Sequence, residues 1–194
     1  ELLLLFQPGQ DGWYYNMTVS INGSDGGTAV TTTTQKVLQV VNTLWTGTAS
    51  TTSATPVDVS GFSATITPAA TSSKILVTVD TYIGFDINDP YPYILLLRGS
   101  TSIATGTSAS GVQINTFLSA PNYTSASSTS QYKAHTVSKT ILDSPNTTDA
   151  TTYKIQFAQP FSGYTAYLNR VGSTANQPYI QFPSSSITLM EIGA

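Results

Sequence analysis

Lys74-Ile75-Leu76-Val77-Thr78-Val79-Asp80-Thr81-Tyr82-Ile83-Gly84-Phe85 is the stretch that decides the fold. Ile75, Val77 and Val79 stand two apart, the spacing that places side chains on one face of a strand. A helix would need apolar residues three and four apart, and no window of the chain carries a convincing stripe of that kind. The two-residue alternation returns at Phe62, Ala64 and Ile66, with Ser63, Thr65 and Thr67 pointing the other way. It returns again at Tyr153, Ile155 and Phe157. One face of each run belongs to a core and the other to water.

Working outward, short β-prone runs alternate with Ser, Thr, Gly and Pro breaks. The pattern predicts strands over 37–46, 57–67, 74–85, 93–98, 102–107, 113–118, 132–142, 152–158, 164–170 and 186–192. Eight to ten such strands joined by short loops predict an all-β chain, an antiparallel β-sandwich or jelly roll.

Composition explains how such a sheet stays wet. The chain has 194 residues, of which 32 are Thr and 24 Ser, while charged residues make up only 9 %. Thr and Ser tolerate β geometry and hydrate a sheet face without charge. With 11 Tyr and 7 Phe, the chain lacks the low aromatic content of disordered segments. The absence of Cys removes disulfides, thiolate metal sites and cysteine nucleophiles. A single His leaves no multi-His zinc site. Seven scattered cations and a net charge of −3 give no footprint for nucleic acid. No cofactor is implied, and the expectation is a non-enzymatic protein, with carboxylate chemistry the one enzymatic route that survives.

The N-terminal part reads differently. Glu1 stands where Met would, which suggests a processed product or a segment of a longer protein. Leu2, Leu3, Leu4, Leu5 and Phe6 form an apolar run far shorter than the ~20 residues a bilayer span needs. It lacks the basic and small-residue pattern of a signal peptide. It reads as a strand or apolar terminal arm that packs on a neighbour. The Gln7–Gly12 turn cluster precedes a strand-like run over 13–21, and Thr31–Thr34 looks like a linker. Residues 1–35 are therefore expected to be an arm or connector with a short strand, and 36–194 the main domain.

Several segments in order carry a resemblance. These are Lys36–Val41, Ser72–Val77, Leu95–Gly99, Leu142–Pro145, Thr151–Ile155, Asn169-Arg170 and Ser186–Ile192. Together they resemble a module of tailed bacteriophages, especially those of cyanobacteria and marine bacteria, usually described as a tail-fibre or other virion structural protein. The resemblance implies a jelly-roll head similar in layout to the trimeric globular heads of C1q and tumour-necrosis-factor proteins. It implies a homotrimer, located extracellularly on a virion and in contact with other virion proteins. On that footing the first expectation is a tail-fibre tip or receptor-binding head touching bacterial surface polysaccharide. The alternatives are a capsid decoration protein and a carboxylate-based polysaccharide depolymerase.

Four candidate constellations follow. Tyr91, Tyr93, Tyr123 and Tyr179 sit in or beside loops bounded by Pro, Gly, Asn and Ser. Their flat faces suit the C–H faces of sugar rings, although Tyr also packs at strand ends and subunit contacts. Asp80, Asp86 and Asp89 are oxygen donors of the kind Ca²⁺ takes, but their spacing is not an EF-hand and Asn88-Asp89-Pro90 is an ordinary turn. No metal is expected. His135, in phase with Val137 and Ile141, lacks the nucleophile and carboxylate of a triad and reads as structural. Four Asn-x-Ser/Thr sequons, at Asn16, Asn22, Asn122 and Asn146, stand close to the roughly two or three that chance gives in so hydroxyl-rich a chain.

Overall fold

A computed structural model of the chain describes residues 2–8, 15–21, 35–86, 91–107, 111–120 and 130–193. It divides into two compact units, 1–35 and 36–194. In the first unit, β1 (Leu2–Pro8) pairs antiparallel with β2 (Tyr15–Ile21), Leu2 opposite Ile21 and Pro8 opposite Tyr15.

The second unit is a two-layer β-sandwich. Its strands are β3 (Val37–Trp45), β4 (Ala49–Thr51), β5 (Val57–Ile66), β6 (Lys74–Phe85), β7 (Tyr93–Arg98), β8 (Thr101–Ile103) and β9 (Leu118–Ser119). These are followed by β10 (Ala134–Asp143), β11 (Thr151–Ala158), β12 (Ala166–Leu168) and β13 (Ser185–Ile192). A 3-10 turn, Ser130–Tyr132, precedes β10. In the first sheet β6 is central: β10 covers one edge, while β13 and then β12 share the other. β3 lies beyond β13, and β4 beyond β12. The second sheet runs β5-β11-β7, with β8 and β9 sharing the far edge of β7. Every pairing among the described residues is antiparallel. Following the longer strands, the chain gives β3-β13-β6-β10 facing β5-β11-β7-β8, the order of a jelly roll.

The alternation read from sequence sets the core. Ile75, Val77 and Val79 from β6, Phe62 from β5, and Tyr153 and Ile155 from β11 have no accessible surface. Trp45 stacks on Phe62 at 5.1 Å and closes the corner between β3 and β5. Before that corner β5 carries a bulge. Its register against β11 jumps between Lys154 and Gln156, and Gly61 takes φ +75°, a backbone that favours glycine. The bulge lets both Val59 and Phe62 face inward although they stand three apart.

Three departures from the expected strands stand out. Of the expected run 113–118 only Leu118 pairs, together with Ser119 beyond it. The run 102–107 stops at Ile103, where Ala104 turns to φ 56°. β4 was not anticipated, since Ala49-Ser50-Thr51 has no alternation of its own and becomes a strand only by pairing with β12.

Polar ties hold the two ends of the sandwich. At one end Arg98 donates to both Asp143 oxygens at 2.9 Å, and the Tyr153 hydroxyl donates to Asp143 at 2.7 Å, linking the two sheets. Burial above all keeps the Tyr153 phenol far above its ordinary pKa, so it remains a donor. Glu191 accepts from Gln39 at 2.6 Å and from the Ala69 amide at 2.7 Å, fixing the β5–β6 connection to β13. At the other end buried Asn169 donates to the carbonyls of Trp45 and Gly47, both at 3.0 Å. Gly84 permits the chain to pass close by there, since a Cβ would lie 2.0 Å from the Arg170 carbonyl oxygen.

These ends differ in what they carry. The Gly193 amide bonds the Lys36 carbonyl, so the main domain starts and finishes at the end that also holds the connections 67–73, 99–100 and 144–150. Asp86, residues 91–92 and 130–133, and the connections 159–165 and 169–184 lie at the opposite end. That far end positions the candidate site.

Candidate functional site

A groove of about 460 Å³ opens at the far end of the sandwich. Tyr91 and Tyr93 flank the start of β7, and Phe161 comes from the β11–β12 connection. The Tyr91 and Phe161 rings lie 5.4 Å apart at 59°, forming an open corner with about half of each residue in water. Val112 and Ile114 supply an exposed aliphatic wall, and Pro160 completes the apolar lining. Hydroxyls of Thr116 and Ser119 are the polar exceptions. No charged side chain is among the described residues that line it.

Local structure fixes this arrangement. The amides of Phe117 and Ala120 bond the carbonyls of Ile94 and Pro92, holding the segment with Thr116 and Ser119 against β7. The Phe161 amide donates to Gln159 Oε1 at 3.1 Å, and the Gln159 amide donates to the Ser53 carbonyl at 2.8 Å. Gln159 is fully buried, so it acts as the bracket that aims Phe161. Tyr93 is a wall rather than an exposed face, being only 6 % accessible. Its hydroxyl reaches the Ala54 carbonyl at 3.4 Å, and burial pushes its phenol pKa up.

The other sequence candidates fall elsewhere. Tyr179 is exposed but meets Tyr132 edge-on at 5.4 Å, forming a separate aromatic pair. Tyr123 and Asp89 lie outside the described residues. Asp80 sits on the outer face of β6 and accepts a hydrogen bond from Ser138. Asp86 follows the end of the same strand, about 20 Å further along at the usual rise per residue. The two do not converge on one ion, and no group of three metal-ligating side chains occurs among the described residues. His135 packs on Phe85 with ring centres 5.3 Å apart. Burial, helped by the positive charge of Lys133, holds its imidazole below the ordinary pKa. The Leu2–Phe6 run forms most of β1, and its expected packing on a neighbour lies outside the described residues.

Sequence reading missed Phe161 and the aliphatic wall. Gln159-Pro160-Phe161-Ser162-Gly163 satisfies the criterion that selected Tyr91, an aromatic residue in a Pro- and Gly-bounded loop.

A second feature is the outer face of the β10-β6-β13-β3 sheet. One row across its four strands is apolar throughout: Leu142, Leu76, Met190 and Val40 stand abreast in register. Leu142 and Val40 are each more than half exposed, and Leu38 and Leu44 extend the apolar surface along β3. The adjacent row, Thr140, Thr78, Thr188 and Asn42, bonds within itself at 2.9 and 2.8 Å. Its polar groups are therefore already partly satisfied across the strands. With the geometry in hand, the chain matches no protein-family model and has no significant similarity to curated proteins.

Proposed function

We propose that this chain is a non-enzymatic structural part of a tailed-phage particle, a homotrimeric head of a tail fibre that meets bacterial surface glycan. The observation that carries the reading is the apolar row on the outer face of the β10-β6-β13-β3 sheet. Four strands at their usual spacing make this row about 15 Å wide. Its two outermost residues are more than half in water, and interface cores are poor in charge. The neighbouring hydroxyl ladders lose little on desolvation because they bond one another. Closed symmetry among identical copies covers such a face without leaving an open edge for further growth.

The far end supports host attachment. It lies opposite the end where the main domain begins and finishes, and it carries the aromatic groove. No carboxylate is among the described residues that line the groove, which favours binding over glycoside hydrolysis. Three copies of a weak site gain by avidity.

Sedimentation equilibrium of the full chain, with retention on host envelope polysaccharide, tests this reading. Three copies and retention are the expected result. A monomer that binds no host polysaccharide contradicts it, and hundreds of copies per particle would move the assignment to capsid decoration.

A further inference from the structure

We infer that the Tyr91–Phe161 groove takes an uncharged sugar through an apolar edge, with a 6-deoxy sugar as the best-fitting class. The inference rests on the attachment reading above and names the ligand chemistry of that site.

Three observations carry it. First, Tyr91 and Phe161 present half-exposed rings at 59°, so a pyranose can place one C–H face on a ring and an edge against the other. Second, among the described lining residues Val112 and Ile114 add an exposed wall of methyl and methylene groups. A methyl substituent on the sugar makes contact there, whereas a carboxylate would lose water with no partner in return. Third, apart from the tyrosine rings, the polar side chains among the described lining residues are the hydroxyls of Thr116 and Ser119. Hydroxyls both donate and accept, which matches sugar hydroxyls and supplies no counter-charge to an anion. An alkyl chain is the competing occupant, but an open corner with half-exposed rings leaves much of such a chain in water. A sugar keeps its outer hydroxyls hydrated in the same position.

The test uses the full chain and methyl glycosides that differ only at C6, bearing a methyl, a hydroxymethyl or a carboxylate group. The series is run in galacto, gluco and manno configurations and followed by NMR titration. In the configuration that binds, the 6-deoxy glycoside is expected to bind at least as tightly as its hydroxymethyl counterpart and about tenfold tighter than the uronate. Tyr91→Ala and Phe161→Ala should each weaken binding about tenfold, whereas Tyr91→Phe, which keeps the ring, should stay within about twofold. Both positions are half-exposed, so these variants should fold, and unchanged thermal unfolding checks that they do. Preference for the uronate overturns the inference. So does binding that survives both alanine variants, absence of binding in all three configurations, or an octyl chain binding better than every sugar. Monovalent titration scores the groove even if the chain is monomeric, so failure here and failure of the trimeric reading are separately visible.

Discussion

On the outer face of the β5-β11-β7-β8 sheet, Lys154 donates to Asp58 at 2.7 Å, Gln156 donates to the same carboxylate, and Thr65 pairs with Thr152. Its apolar members Leu97 and Leu95, opposite Lys154 and Gln156, are buried and half-buried within the protomer. The corresponding surface of the β10-β6-β13-β3 sheet carries Leu142, Leu76, Met190 and Val40 side by side, with the outermost two more than half in water. One sandwich thus has an outer face dominated by polar ties and another that carries an apolar row among its hydroxyls. The inner faces are alike, both built from fully buried Ile, Leu, Val and aromatic residues. Folding needs only the inner faces. The outer difference is therefore a clue to assembly rather than to the fold of the single chain.

The largest expected effect sharpens this contrast by showing what the sheets share. Ile155→Ala in one sheet and Leu189→Ala in the other remove fully buried side chains and should each cost about 2–5 kcal/mol in denaturant unfolding. A large loss in only one sheet would mean that the inner faces are not equivalent. Glu191 comes next. Burial pushes its carboxyl up, but the nearby Ser73 hydroxyl and the hydrogen bonds from Gln39 and the Ala69 amide outweigh burial and leave its pKa below the ordinary 4.5. A folded pKa below the unfolded one means its contribution is complete above about pH 4.5 and fades as pH falls through the folded value. Glu191→Gln should accordingly lower stability at neutral pH by roughly 1–3 kcal/mol and flatten the acid dependence below pH 4.5. An unchanged acid profile would remove Glu191 from that role. Asp58 gives the smallest effect. Hydrogen bonds from Lys154 and then Gln156 lower its pKa, but its side chain is 53 % exposed. Breaking that pair with Asp58→Ala should cost less than about 1 kcal/mol and leave the oligomeric state unchanged.

Much of the fold was legible in sequence because strand alternation is local. Ile75, Val77 and Val79 sit at neighbouring positions of one strand, and their inward orientation follows from spacing alone. What stayed hidden depends on register. Val40, Leu76, Leu142 and Met190 are far apart in the chain, and only the pairing of four strands makes them a row. β4 and the Arg98–Asp143–Tyr153 tie are non-local in the same way. The groove was half legible. Tyr91 and Tyr93 were visible as loop aromatics, whereas joining them to Phe161 required the neighbouring strands β7 and β11 to bring their ends together. Tyr179 met the same criterion and lies with Tyr132 instead, so loop placement selects aromatic residues without saying which of them meet.

The most direct test of the account places a charge on each outer face and measures mass in solution. Sedimentation equilibrium should give three copies for the unaltered chain and for Ser63→Lys, which adds charge to the solvated face. Met190→Lys, in the apolar row, should dissociate to a folded monomer at the same concentration. A monomeric unaltered chain, or a Met190→Lys variant that assembles as tightly as the original, would contradict the claim that this face is where the copies meet.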